Sequence, residues 1–214
     1  MLVAVPFLDH AQFECGGAMV VRIVLMGGTS HAGKSTLAET IAKQLDWRFL
    51  STDSLARHPG RPWRDVPDMP PPDVIEHYRD LEVDALMQWV LHHYDSMWDA
   101  HVLPLIENEA GLVMEGSALL PARIAPLLSS DVQAVWLVAS DDLIERRIKS
   151  ESGYSSRDSD SQFLIEKFVK RALAFNGFIA GEVSRLNLRK IDIDSDSEGH
   201  VLRARLLDAL RSGS

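Results

Sequence analysis

A glycine-rich stretch between an apolar run and a helix-like segment most constrains how this chain folds. Residues 28–35 read Gly-Thr-Ser-His-Ala-Gly-Lys-Ser and satisfy the pattern G-x-x-x-x-G-K-[ST] in full. In this pattern the glycines let the backbone curl, so that consecutive amide groups point inward and bind phosphate oxygens. The N-terminus of the following helix adds partial positive charge at the same place. The stretch therefore predicts a strand, a phosphate-binding loop and a helix, in that order.

Each position of this loop has an expected task in holding the phosphate groups of a nucleotide. Lys34 carries a full positive charge that reaches the β- and γ-phosphates, and the hydroxyl of Ser35 is suited to bind Mg²⁺. His31 occupies a variable position of the pattern, so the sequence indicates no chemical role for its side chain. The residues expected to surround the phosphates are Gly28, Ser30, His31, Ala32, Gly33, Lys34, Ser35 and Thr36.

The length and composition predict one globular domain. The chain has 214 residues, of which 46% are hydrophobic and 25% are charged, and this length suits one well-buried core. We expect a single domain over residues 20–214, with a helical substrate region at about 55–110 and a lid region at about 146–171. Residues 1–19 show no clear period, so we interpret them as an N-terminal extension of unknown role.

Charge and cysteine content argue against several classes of function. The formal net charge of −9 disfavours general nucleic-acid binding, because phosphate contacts need a basic surface. No apolar run approaches the ~20 residues that span a bilayer, and MLVAVPFLDH lacks the basic start of a signal peptide. Cys15 is the only cysteine, which excludes an intrachain disulfide and fits a reducing compartment. We therefore expect a cytoplasmic monomer or homodimer with a small-molecule partner.

Short apolar runs rich in β-branched residues alternate with helical patterns along the chain. Such alternation predicts an α/β fold in which helices cover both faces of a parallel sheet. The near-continuous hydrophobicity of VVRIVLM and VQAVWLVA is typical of strands buried on both sides. The expected strands are 20–26, 47–51, 111–115, 133–139 and 189–193.

Helical spacing of apolar residues fills the segments between these strands. Between the second and third strands, the helical pattern extends from about residue 73 to about 109, with a break or two. A bare nucleotide-binding core does not need this insertion. It forms a layer over the sheet, a second substrate site, or both. The other expected helices are 34–45, 141–150, 161–186 and 201–210.

Four motifs together resemble the small P-loop kinases. GGTSHAGKST is followed by FLSTDSL after the second strand, VMEGSALLP after the third and DDLIERRI after the fourth. This group includes the nucleoside and nucleotide kinases, shikimate and gluconate kinases, and the 2-phosphoglycerate-kinase and zeta-toxin-like proteins. The resemblance covers residues 20 to about 200. It implies a three-layer P-loop fold with strand order 2-3-1-4-5, and ATP with Mg²⁺ as cofactors.

Asp53 follows the second predicted strand, and its side chain is a candidate for binding the phosphoryl acceptor. Ligands bind outside the carboxyl ends of strands in open parallel sheets. The resemblance implies that an acidic residue here orients or deprotonates an acceptor hydroxyl. The shikimate-kinase-like pattern has two acidic residues, D-x-D, whereas this chain has Ser51 at the first position. The alternative is that Asp53 only caps the next helix.

Glu115 ends the third predicted strand, where P-loop proteins place an acidic residue that holds Mg²⁺ or its water. A charged residue at the end of an apolar strand usually has a partner. The resemblance implies that Glu115 supports the metal or acts as the base, so the choice of base between Glu115 and Asp53 stays open. The alternative is a partly solvated strand end with a salt bridge.

Arginines dominate the segment after Asp53 and suggest an anionic acceptor. Arg57, Arg61 and Arg64 lie in SLARHPGRPWRD, and guanidinium groups recognise carboxylates and phosphates. A charge-rich loop with proline and glycine is also compatible with a merely solvated surface.

Further arginines follow the fourth predicted strand. The resemblance implies that Arg147 contacts the nucleotide and that Arg157, in GYSSRDSDS, stabilises the transferring phosphoryl group from the lid. The alternatives to Arg157 are on the next helix, where ordinary helix charges explain them equally well. They are Lys167, Lys170 and Arg171.

Together these features predict an ATP-dependent kinase that transfers the γ-phosphoryl group to a hydroxyl or phosphate of a small, anionic molecule. A hydrolytic switch is one alternative, although no [NT]-K-x-D guanine signature supports a GTPase. A nucleotide-binding regulatory protein with little turnover is another.

Overall fold

A five-stranded parallel sheet forms the centre of the protein. The computed structural model describes residues 21–56, 61–63, 72–194 and 204–205. The strands lie in the order β2-β3-β1-β4-β5, and every neighbouring pair is parallel. This confirms the predicted α/β fold and its strand order. The strands are β1 (Ile23–Gly28), β2 (Arg48–Ser51), β3 (Leu112–Glu115), β4 (Val132–Ala139) and β5 (Lys190–Ile193).

Helices cover both faces of this sheet, as the apolar runs predict. Side chains alternate between the two faces along a strand. Val24 of β1 packs in one apolar cluster with Ile41 of the first helix. The next residue, Leu25, packs in the other cluster with Val90 of the third helix. The helices are α1 (Lys34–Leu45), α2 (Pro72–Asp80), α3 (Val83–Met97), α4 (Leu103–Asn108), α5 (Pro121–Ile124), α6 (Asp141–Glu151) and α7 (Ser159–Arg185).

The predicted helical insertion consists of α2, α3 and α4, with a π-helical turn at Trp98–Val102 between the last two. The N-terminal extension lies outside the described residues, as does most of the predicted helix at 201–210. In the part of the chain that the structure describes, no helix is both long and apolar enough to cross a bilayer.

The strand register brings three motifs to one edge of the sheet. Glu115, the last residue of β3, pairs with Met26 of β1 on one side and with Ser51 of β2 on the other. The glycine-rich loop begins at the end of β1, and Asp53 comes two residues after β2. The carboxyl ends of β1, β2 and β3 therefore gather the loop, Asp53 and Glu115 at one place.

Candidate active site

The glycine-rich loop connects β1 directly to α1. Gly28 has a φ of +134°, and a Cβ at this position would lie 2.4 Å from the carbonyl oxygen of Leu137 in β4. A side chain is therefore excluded by both conformation and space. Gly33 precedes α1 in the left-handed conformation, so the loop ends at the helix N-terminus that the motif predicts.

Two surrounding segments hold this loop by hydrogen bonds. Ser117 donates its hydroxyl to the carbonyl oxygen of Gly28 at 3.0 Å. Thr29 donates its own hydroxyl to the carbonyl oxygen of Ala172 in α7 at 3.1 Å. Of the other loop residues, Ala32 is buried, whereas Ser30 is half-buried and Ser35 and Thr36 are exposed. The loop is thus fixed from outside, while Ser30, Ser35 and Thr36 stay at least partly exposed.

Lys34 lies over the loop with its ammonium group buried. The residue is 6% exposed, and Nζ donates to the carbonyl oxygen of Thr29 at 2.7 Å. Burial lowers the pKa of this ammonium group, while the negative charges of Glu115 and Asp53 act in the opposite direction. A buried cation bonded to a neutral carbonyl is well suited to bind an anion.

Ser35 and Glu115, the two residues predicted to hold the metal, are in direct contact. The Ser35 hydroxyl donates to Oε1 of Glu115 at 3.1 Å, and Glu115 is 3% exposed. A hydroxyl and a carboxylate are the oxygen ligands that Mg²⁺ prefers. Among the described residues, no group of three or more acidic, histidine or cysteine side chains could enclose a metal ion. The pair therefore fits an Mg²⁺ ion whose remaining ligands are phosphates and water.

The end of β3 and the end of β2 approach each other closely. Gly116 has a φ of +154°, and a Cβ there would lie 1.7 Å from Oγ1 of Thr52. Only glycine allows this approach, which brings the turn at Thr52–Ser54 beside Glu115.

Asp53 lies in that 3₁₀ turn with an exposed side chain. The turn is capped by the Ser51 hydroxyl, which accepts from the backbone amide of Asp53 at 3.4 Å. Ser51, rather than Asp53, therefore caps this turn. Burial is the largest influence on the pKa of Lys34 and of Tyr94, and the negative charge of Asp53 acts to raise both.

The predicted arginines differ in where they lie. Arg61 forms an ion pair with Glu151 at the end of α6. Arg157 donates from Nε to the carbonyl oxygen of Ser152 at 3.0 Å and from Nη2 to that of Trp63 at 3.3 Å. Arg157, in the predicted lid region, thus contacts the segment that follows Asp53. Arg57 and Arg64 lie outside the described residues.

Arg147 contacts the phosphate-binding loop itself. Its Nη1 donates to the carbonyl oxygen of His31 at 2.7 Å. The same atom would lie 3.4 Å from a Cβ built at Gly33. Its predicted contact with the nucleotide stays a prediction, but the side chain lies against the loop that would hold the phosphates.

The His31 side chain, which the sequence left without a role, is almost completely buried beside the loop. It is 5% exposed, and its ring centroid lies 6.4 Å from that of Trp63 and 6.2 Å from that of Phe168. Burial lowers the pKa of His31 to about 4, although the nearby Glu151 carboxylate acts to raise it. The imidazole is therefore neutral near pH 7. Nothing in the G-x-x-x-x-G-K-[ST] pattern signals this, because it leaves the position open.

A buried neutral His31 gives the stability of the protein a specific pH dependence. The imidazole binds a proton near pH 6.5 when unfolded but only near pH 4 when folded, so the unfolded state holds more protons between these values. The free energy of unfolding therefore falls as the pH decreases through this window, by about 2 kcal/mol on account of His31. We expect His31→Asn to remove this contribution, because the asparagine side chain does not titrate. Asparagine also tolerates the positive φ of the position, so the loop should keep its conformation.

Urea unfolding of wild type and His31→Asn at about pH 4.5 and about pH 7 measures the contribution of His31 to the free energy of unfolding. All other titrating groups are the same in the two proteins, so their effect cancels. Equal losses of stability in wild type and variant would contradict the prediction.

Arg171, which the sequence offered only as an alternative to Arg157 in the lid, is buried in the structure. It lies on α7, is 4% exposed, and its guanidinium group lies 4.5 Å from the ring centroid of Phe168 and 5.9 Å from that of Tyr78. Among the described residues, no carboxylate pairs with it and its Nε has no hydrogen-bond partner. In sequence it resembles any helix-surface charge, so only the packing of α7 shows that it is buried.

Two tyrosines share the space around Arg171. Tyr78 is fully buried, and its hydroxyl has no hydrogen-bond partner among the described residues. Burial raises the pKa of Tyr94, and the charges of Arg171 and Asp53 act on it in opposite directions. We refer to the region that contains Asp53, Tyr78, Tyr94 and Arg171 as the acceptor chamber, because Asp53 is the residue predicted to bind the acceptor.

A parallel sheet of order 2-3-1-4-5, with a phosphate-binding loop between β1 and α1, defines the P-loop kinase fold. Solved structures agree with this. Shikimate kinase from Acinetobacter baumannii in complex with shikimate has a TM-score of 0.53 and 13% identity, covering 95% of this chain and 98% of that one. Deoxyadenosine kinase from M. mycoides with bound dATP has a TM-score of 0.51 and 16% identity, covering 89% and 100%.

A sugar kinase from Janibacter sp. HTCC2649 also has this fold, with a TM-score of 0.50 and 18% identity over 89% of this chain and 95% of that one. No protein-family model matches the chain, and no curated protein sequence matches it significantly. The chain therefore has the fold of the small P-loop kinases, at identities that show the fold alone.

Proposed function

We propose that this protein is an ATP-dependent small-molecule kinase, which transfers the γ-phosphoryl group of ATP to a hydroxyl or phosphate of an anionic acceptor. The observation that carries the proposal is the position of a buried arginine, Arg171, on the helix that also anchors the phosphate-binding loop through Thr29 and Ala172. A site for triphosphate and a site for a second anion are therefore neighbours.

On the donor side, the loop amides and Lys34 bind the triphosphate. Ser35 and Glu115 would hold Mg²⁺ directly or through water, and a bound Mg²⁺ would supply positive charge against the phosphate oxygens. Support for these roles comes from the contact between the Ser35 hydroxyl and the Glu115 carboxylate. The buried position of Lys34 gives its charge a strong effect on the transferring group, because few waters screen it.

On the acceptor side, Arg171 binds a carboxylate or phosphate of the substrate. A buried guanidinium without an anionic partner is unfavourable, so an anion entering the acceptor chamber is bound with little competition. Asp53 accepts the proton of the attacking hydroxyl and orients its oxygen towards the γ-phosphorus. Arg157 stabilises the charge of the transferring group from the lid side.

The first experiment measures ATP consumption by the purified protein, with and without a mixed library of phosphorylated and hydroxylated metabolites at equal Mg²⁺. Consumption that depends on one acceptor supports the kinase and identifies its substrate. ATP loss that is independent of the library would instead indicate a hydrolytic switch. Binding of ATP without any loss would indicate a regulatory protein and contradict the proposal.

Removing the charge of Arg171 is expected to weaken acceptor binding selectively. Arg171→Met keeps the length of the side chain but removes its donors, and losing a charged hydrogen bond of this kind weakens binding by about 10–100-fold. We expect the KM for the acceptor to rise by about this factor, with the KM for ATP changed less than about threefold. Steady-state kinetics with each substrate varied in turn measures both values.

The matched control is Lys170→Met, which removes an exposed charge from the neighbouring position of α7 and should change neither KM. Thermal unfolding should show that Arg171→Met is as stable as wild type or more stable, because the removed charge is buried and unpaired. An unchanged KM for the acceptor in Arg171→Met would contradict this role.

A further inference from the structure

Helix α6 contacts His31 at both its backbone and its side chain. Arg147 donates to the carbonyl oxygen of His31, and Glu151, one turn later, places Oε2 2.8 Å from the His31 Nε2. Residues four positions apart lie on the same face of a helix. One face of α6 therefore holds the residue at the apex of the phosphate-binding loop.

The conformation of His31 makes this arrangement specific. Its φ is +64°, in the left-handed region that residues other than glycine seldom adopt. The side chain is directed under the rings of Trp63 and Phe168, where 5% of it is exposed. A histidine at a strained loop position, buried against a carboxylate, is a feature that the loop does not need for binding phosphate through its backbone.

One nitrogen of the His31 imidazole, Nδ1, is available to accept a proton. Nε2 lies 2.8 Å from Oε2 of the Glu151 carboxylate. A nitrogen lone pair at this distance would repel the carboxylate, so the neutral ring carries its hydrogen on Nε2. Nδ1 is buried and has no hydrogen-bond partner among the described residues, so it can accept one more proton.

The elements that pack around the His31 ring carry several charged side chains, and most of these are positive. Glu151 opposes them, and it also pairs with Arg61. Without a ligand, burial together with the charges of Arg61 and Lys34 keeps the pKa of the imidazole low, so the ring is neutral. The charged groups are Lys34 of α1, Arg147 and Glu151 of α6, Arg61, and Arg171 over the Phe168 ring of α7.

We propose that binding of a nucleoside triphosphate in the loop is coupled to the uptake of one proton by His31, which makes its imidazole a second cation of the phosphate site beside Lys34. The proton adds to Nδ1 from hydronium or from the acid form of the buffer, which is left as water or as the buffer base, so the ring becomes imidazolium. This inference rests on the proposed nucleotide binding but not on the identity of the acceptor.

The charge balance of the site gives the direction of this coupling. A triphosphate neutralises Lys34 and the other cations that disfavour a charged imidazole, and its own negative charge favours one. Glu151 then pairs with imidazolium as well as with Arg61. By linkage, a ligand whose binding takes up a proton binds more tightly as the pH falls. Nucleotide affinity should therefore increase between about pH 8 and about pH 6.5.

Calorimetric titration with a non-hydrolysable ATP analogue and Mg²⁺ tests the proposal at about pH 6.5, in buffers with different ionisation enthalpies. The dependence of the binding heat on the buffer gives the number of protons taken up. We expect wild type to take up about 0.3–1 proton more than His31→Asn. Protonation of the nucleotide itself cancels in this difference.

A second pair of variants distinguishes the effect of the Glu151 charge from the effect of removing any carboxylate from α6. Glu151→Gln should lower proton uptake, because it removes the carboxylate that stabilises the imidazolium. Glu145→Gln removes a carboxylate that pairs with Lys149 on the same helix, and should behave as wild type. Equal proton uptake by wild type and His31→Asn would overturn the inference while leaving nucleotide binding intact. Absence of binding by every variant and by wild type would instead overturn the proposed function.

Discussion

Lys34→Ala is expected to lower phosphoryl transfer by about a thousandfold or more. The ammonium group is buried over the loop, where its charge is little screened. In the proposed reaction it is the cation that reaches the transferring phosphate. Positioned charges of this kind typically contribute about 10²–10⁵ to the rate in related chemistry. Steady-state turnover with saturating ATP and acceptor measures the loss.

The fold of this variant should remain intact. Lys34 donates to one backbone carbonyl, and burial already disfavours its charge, so removing the ammonium group relieves a desolvation penalty. Lys43→Ala, which removes an exposed charge from the last turn of the same helix, is the control and should keep full activity. Activity of Lys34→Ala within about tenfold of wild type would show that the loop does not bind the transferred phosphate.

The sheet was predictable from sequence because its signals are local. The apolar runs that became β1 and β4 lack polar alternation, which is typical of strands covered on both faces. The glycine-rich pattern also fixes the end of β1 and the start of α1 to within a residue or two. The strand order came from the resemblance to known kinases, since no local pattern specifies which parallel strands are neighbours.

The donor side of the site was predictable for a similar reason. The spacing of the G-x-x-x-x-G-K-[ST] motif places Lys34 and Ser35 at the helix start, and Glu115 ends a strand that pairs with β1. Motif and register together therefore imply that Ser35 and Glu115 meet. Their hydrogen bond is the outcome of two local signals and one sheet pairing.

The proposed acceptor side was harder to predict from the sequence, because its residues meet only through tertiary packing. Arg171 occupies an ordinary helical position in sequence. It becomes buried because α7 passes behind the loop, where Ala172 accepts from Thr29. The acceptor-binding role of Arg61 stays a prediction, and the structure adds an ion pair with Glu151, 90 residues away. No spacing rule relates such distant positions. The contact between the Glu151 carboxylate and His31 could therefore not be predicted either.

Asp53→Asn is expected to lower kcat by about 10²–10⁴-fold, with little change in ATP affinity. The amide keeps the size of the side chain but cannot accept the proton of the acceptor hydroxyl. The cap of the turn should survive, because Ser51 accepts from the backbone amide of this residue. Asp46→Asn is the control, since Asp46 is an exposed carboxylate in a left-handed conformation that asparagine tolerates.

The pattern of losses distinguishes the two roles that sequence leaves open for Asp53. A base acts on the transition state, so its removal lowers kcat while the dissociation constant of MgATP stays the same. A metal ligand also holds the nucleotide, so its removal weakens MgATP binding together with turnover. Glu115→Gln should give this second pattern, because its carboxylate contacts Ser35. If Asp53→Asn weakens MgATP binding as much as Glu115→Gln does, Asp53 belongs to the metal site and the base must be sought elsewhere in the acceptor chamber.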